Sequence, residues 1–132
     1  MSTGVHYVVV PEWLTADKAA SRCVELGYER LAEVLSSKEQ TAEATMPSAT
    51  YLAKYGNDFG GGKRLWIGLR KVNGVFKWGS GTPVNYTAWF PTGQPSGDGD
   101  CVEGDALNVE FPPGGWNDIS CAQPMAFVCE RR

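Results

Sequence analysis

Four cysteines, at positions 23, 101, 121 and 129, constrain this chain more than any other feature. None forms a C-x-x-C pair with another and the sole histidine is His6, so a Cys/His zinc site has almost no ligands to draw on. An even set of thiols at these spacings reads as two disulfides, which form and persist in an oxidising compartment. Spacing alone leaves the pairing open. The sequon Asn85-Tyr86-Thr87 agrees with secretion.

The 132 residues fit a single domain spanning 1–132. With 42% hydrophobic residues, five Trp among them, the chain can bury a core, so the disulfides need not carry the fold alone. The net charge of -3, with acids and bases interspersed, argues against a nucleic-acid partner. No apolar run approaches the roughly 20 residues that span a bilayer. "MSTGVHYVVV" lacks the basic start and long apolar centre of a signal peptide, so the expectation is a secreted or extracellular domain with any leader already removed.

The first half carries helical signals. "VHYVVV" suits a strand that Pro11 ends. Thr15 can cap a helix with Asp17 in its first turn, Ala16, Ala19, Ala20 and Cys23 fall on one face, and Gly27 is a natural stop. "LAEVL" reads as a short strand or turn, and "SSKEQ" offers overlapping capping boxes for a second helix, kinked or broken at Pro47 and resuming towards Tyr55. "GNDFGGGK" reads as a turn-rich loop, not a phosphate cradle, because no G-K-[ST] follows. From Leu65 onward "LWIGLR", "GVFKWG", "CVEGDALNVE" and "MAFVCE" read as short strands. Helices first and strands afterwards make an α+β fold. The segment from Ser80 to Asp100 has no periodicity, and a loop that long in a compact domain usually serves function.

Taken in order, Leu65-Trp66-Ile67-Gly68-Leu69, Phe76-Lys77-Trp78, Trp89, Gln94-Pro95, Cys101-Val102, Trp116-Asn117-Asp118 and Phe127-Val128-Cys129-Glu130 resemble the C-type lectin-like domain family, over Tyr7 to Glu130. The resemblance implies two helices packed on short antiparallel sheets with a long calcium-binding loop region. It also implies disulfides Cys23 with Cys129 and Cys101 with Cys121.

In lectins of this family an x-Pro-x triplet and an Asn-Asp after Trp surround one Ca²⁺, and two vicinal sugar hydroxyls complete the shell. Calcium takes six to eight oxygen ligands. The resemblance casts Gln94, Asn117 and Asp118 as direct ligands, Ser96 as the second triplet position, and Asp98 or Asp100 as the assisting acid. Ser96 stands where Asn or Asp is usual, and Gly99 stands where an acid usually lies two residues before the cysteine. With so few charged ligands, affinity is expected near the weak extracellular range, about 10⁻⁴ to 10⁻³ M. Arg70 and Lys71 occupy the stretch where acids for a second ion would be wanted, so one ion is expected. Gln94 with Ser96 is closer to the family's galactose-type triplet than to its mannose type. Phe111 or Phe90 is the candidate for stacking on the sugar, while Trp66, Trp78 and Trp116 read as core.

The expected partners are therefore glycans or glycoconjugates with terminal galactose. A homo-oligomer is one route to avidity, because single sites of this kind bind weakly. Ser96 and Gly99 also admit a lectin-fold module with a degraded calcium site that binds protein directly. An enzyme is not expected: His6 has no nucleophile partner, and the acids cluster among glycines. His6 and Glu103 are expected to be solvated, Glu103 on a strand.

Overall fold

The computed structural model describes residues 5–36, 57–59, 62–89, 95–97, 99–105 and 114–132. Among these the elements run β1 (His6–Leu14), α1 (Ala16–Glu25), β2 (Arg30–Leu31), β3 (Asn57–Phe59), β4 (Gly62–Val72), β5 (Val75–Trp78), β6 (Cys101–Asp105), β7 (Gly114–Ile119) and β8 (Met125–Arg131). The strands form one sheet along the path β1-β8-β4-β6-β7, with β2 on β8 and β3 and β5 on β4. This is the α+β architecture expected. The segment expected to form the second helix lies outside the described residues.

Helix α1 follows its small-residue stripe. Ala16, Ala19 and Cys23 are buried, Ala20 packs against the same cluster, and the helix stops before Gly27. Thr15 occupies the cap position, but its side chain makes no cap hydrogen bond. β8 is the opposite case, buried from Met125 to Glu130, with Met125, Phe127 and Cys129 packed into the cluster that includes α1 and Ala126 and Val128 into a second cluster with Ala32 and Leu65. Cys23–Cys129 ties the helix to this strand across 106 residues, a loop closure that stabilises by about 5 kcal/mol in the chain-entropy account. Cys101–Cys121 closes the shorter loop around β7. Both pairings are those the resemblance implies.

Pro11 does not end β1, which continues to Leu14. The strand lies at the sheet edge, and its register against β8 shifts between Val10 and Leu14, where a residue without an amide hydrogen is tolerated. The "GNDFGGGK" stretch is likewise more regular than expected, since Asn57–Phe59 pairs with residues 62–64 of β4. β7 itself was hidden in the sequence by its glycines and polar residues.

Two buried carboxylates lock the chain segments that lead to the long loop. Glu130 accepts from Arg30 at 2.9 Å, from Arg132 Nε at 2.8 Å and from the Glu33 amide at 2.7 Å. Glu33, buried as well, accepts from the Ser80 amide at 2.8 Å and from the Ser80 hydroxyl at 2.7 Å. The start of the irregular segment is thereby fixed to the core at Ser80, and its end is fixed at Cys101. Between them Val84, Tyr86, Ala88 and Trp89 pack against the cluster of Ile67, Trp78 and Trp116.

The glycine of "WIGL" has a steric cause. Its amide donates to the Ala32 carbonyl at 2.7 Å, and an added Cβ would meet the carbonyl oxygens of Leu31 and Ala32 at 2.9 and 3.0 Å. Segment 31–32 thus crosses directly over β4. Gly68→Ala is expected to lower stability by about 1–3 kcal/mol, read from urea unfolding. An unchanged midpoint would contradict this close crossing.

Candidate functional site

Asn117 and Asp118 are consecutive on β7, where they face Glu103 and Val102 of β6. Both are buried, at 4% and 0% exposure. The Asn117 side-chain nitrogen donates to Glu103 Oε2 at 2.7 Å. Glu103 is therefore not the solvated strand residue expected from the sequence. It is fully buried, on an inner strand between β4 and β7.

This contact decides which atom Asn117 offers. With the amide nitrogen engaged by Glu103 Oε2, the carbonyl oxygen Oδ1 is the atom Asn117 can offer to a ligand or cation. Glu103 is the site residue that sequence reasoning missed. Its signal lay in the register: with Cys101 opposite Ile119 in the disulfide-closed loop, counting back two residues sets Glu103 against Asn117.

Asp118 holds the loop. Its Oδ1 accepts from the Ser96 amide at 2.8 Å and the Ser96 hydroxyl at 3.1 Å, and its Oδ2 accepts from the Gly97 amide at 2.7 Å. Burial works against the charge, but these donors outweigh it and hold the carboxyl below its ordinary value of 3.8. Ser96 and Gly97 are themselves exposed, so a surface turn is clasped to a buried carboxylate.

The structure thus brings Ser96 onto Asp118, while Asn117, the preceding residue of β7, is hydrogen-bonded to Glu103. Asp100 is exposed and enters the fold through its carbonyl, which accepts from the Lys71 amide at 2.7 Å. Gln94, Asp98, Phe90 and Phe111 lie outside the described residues. Trp66, Trp78 and Trp116 are buried in the core, as expected, and Trp116 packs edge-on against Trp78, Tyr86 and Trp89. His6 is exposed, stacked on Tyr28 with ring centroids 6.2 Å apart.

Gly99 explains why no acid precedes the cysteine by two residues. A Cβ there would fall on the backbone of Ile119 and the amide of Ser120, at the end of β7. The position is closed to any side chain while the loop keeps this path.

The donors gathered here are oxygens, which suits a hard cation and not a soft one. Among the described residues no group of three or more His, Cys, Asp or Glu gathers to hold a metal. A carboxylate offers about four acceptor positions. Ser96 and Gly97 fill three on Asp118. Among the described residues this leaves Asn117 Oδ1 and one acceptor position of Asp118, fewer than the six to eight oxygens that calcium takes.

The sequence profile described as the lectin C-type domain matches residues 12–131. The chain belongs to the C-type lectin domain family. It is 32% identical to an alpha-N-acetylgalactosamine-specific lectin of Patiria pectinifera, over 88% of this chain and 67% of that one. It is 33% identical to salivary C-type lectin 2 of Aedes albopictus, over 96% and 83% of the two chains. By contrast it spans only 5% of the length of human C-type mannose receptor 2. Among solved structures, a calcium-independent type II antifreeze protein superposes with a TM-score of 0.74 at 26% identity, covering 99% of this chain and 88% of that one. The C-type lectin fold thus occurs both with named sugar specificity and without calcium.

Two outcomes test the loop. A carboxyl depressed in the folded state adds stability above its ordinary value, and that contribution is lost as pH falls through the folded value. Asp118→Asn should therefore cost about 1–3 kcal/mol at neutral pH. The gap from wild type should shrink as urea unfolding is repeated below pH 3.8; a gap independent of pH would contradict the clasp. Gly99→Glu, which supplies the family's usual acid, should lower stability without tightening calcium binding in calorimetry, because the side chain has nowhere to go.

Proposed function

We propose that this domain binds carbohydrate at the loop clasped to Asp118, with one weakly held calcium ion shared between protein and a galactose-type sugar. The observation that supports this reading is the hold of Asp118 on the 96–97 turn, beside Asn117, whose amide nitrogen is held by Glu103. Gln94, Asp98 and Asp100 are proposed to complete the oxygen set, and Phe111 to stack on the sugar's apolar face.

Calcium, when bound, would hold vicinal hydroxyls by direct coordination. The chain's own residues do the selecting. Asn117 presents Oδ1 because Glu103 holds its nitrogen, and Asp118 keeps its charge because backbone donors stabilise it. Ser96 contributes a hydroxyl where a longer carbonyl or carboxylate would reach further. The galactose preference is supported by Gln94 before Pro95 and by the likeness to a lectin named for N-acetylgalactosamine, a sugar of galactose configuration. The proposed setting is extracellular, with glycoconjugates as partners and avidity from several copies. The reading assigns the site binding and release of its ligand, without catalysis.

The clasp itself favours a second reading. Asp118 is well satisfied without a metal, and a calcium-independent relative of the fold exists. On that reading the loop presents a fixed surface to a protein partner.

Chromatography on immobilised galactose with millimolar calcium separates the two. The expected result is retention, with elution by chelator and by free galactose ahead of mannose. Asn117→Ala should fold, judged by circular dichroism, yet lose both calcium in calorimetry and retention on the column. Retention that survives chelation would overturn the calcium bridge, and no binding to any glycan on an array would favour the protein-binding module.

A further inference from the structure

The segment 81–88 alternates strictly between exposed and partly buried residues. In an extended backbone successive side chains point to opposite sides. Val84, Tyr86 and Ala88 turn inward onto the cluster around Trp116, and the Tyr86 ring lies 6.0 Å from that of Trp116, nearly perpendicular to it. Asn85 and Thr87 therefore share the outward side, and both are exposed. They are the first and third residues of Asn85-Tyr86-Thr87, the one N-x-[ST] triplet in the chain.

We infer that Asn85 is an N-glycosylation site, carrying an oligosaccharide on the outer side of this segment. This does not rest on the sugar-binding reading. The acceptor chemistry needs an asparagine amide and a hydroxyl two residues on, free of the core, and the fold supplies both while Tyr86 anchors the triplet between them. The donor is an oligosaccharide on a lipid pyrophosphate. The Asn85 side-chain nitrogen forms a bond to the anomeric carbon of the first sugar and gives up a proton. The bond from that carbon to the pyrophosphate oxygen breaks, and the lipid pyrophosphate leaves with the electron pair. No oxidant or reductant is required.

The two disulfides belong to the same oxidising secretory route that meets this donor. A bulky polar glycan at an exposed position costs the fold nothing in burial. It would stand on the flank of the segment whose inner side buttresses Trp116, the residue before Asn117. The glycan is thus outside the loop clasped to Asp118.

The full chain, secreted from cultured animal cells behind a signal peptide, is the material for the test. Intact mass should show one N-glycan that peptide:N-glycosidase F removes, leaving Asp at position 85 in peptide maps. Thr87→Ala and Asn85→Gln should each abolish the added mass, whereas Thr87→Ser should keep it. Should either loss variant fail to be secreted, the peptide map of the wild type and the Thr87→Ser protein still decide the matter. An unmodified Asn85 in secreted, disulfide-bonded protein would overturn the assignment.

Discussion

The structure depends on where its last strand goes. β8 is inserted between β1 and β4, buried on both faces, and Cys129 at its centre is bonded to Cys23 of the helix. The first and last strands of the domain are therefore held side by side. With them so paired, Glu130 lies in the interior, and a buried carboxylate is tolerated only with partners. Arg30, Arg132 and the Glu33 amide supply them. Glu33 then reaches Ser80, so the closure of the termini sets the entrance of the long loop more than forty residues away in sequence. Loop geometry here is a consequence of core electrostatics as well as of its own turns.

The other end of that loop depends on β7. Cys101–Cys121 fixes the register of β6 against β7, and the register puts Asn117 on Glu103 and Asp118 beneath the 96–97 turn. These are two different uses of a carboxylate. Glu103 has no free face and acts on its neighbour's orientation. Asp118 lies at the boundary between strand and turn, so its oxygens meet amides that would otherwise face water.

Much of the fold was legible because its signals are local. The small-residue stripe of α1, the apolar strands β4 and β8 and the turn residues between them each specify a conformation within a few positions. Pro11 misled because its meaning depends on whether a strand is at an edge, which only the assembled sheet decides. Glu103 misled for a related reason: alternation along β6 cannot separate inside from outside when both faces are covered, so an acid there looks solvated. β7 was unreadable as a strand because its polar residues are buried by partners far away in sequence. The Asn-Asp pair was legible only through its resemblance to a family, and the clasp by Ser96 and Gly97 was not legible at all. Backbone amides leave no trace in side-chain patterns.

The clasp also bears on why such a site would be weak. Preorganisation favours binding because less order has to be imposed when the ligand arrives. Here the loop is organised by the same carboxylate that a cation would use. Each amide hydrogen on Asp118 draws on electron density that coordination also needs, so the donors that order the turn compete with the ion. Relieving the competition by releasing Ser96 or Gly97 would free oxygen at the cost of loop order. Adding an acid at Gly99 is closed off by the backbone of Ile119 and Ser120. On the proposed calcium reading, the chain would trade affinity at the metal for a turn that keeps its shape without one, a balance suited to many weak contacts and not to a single tight one.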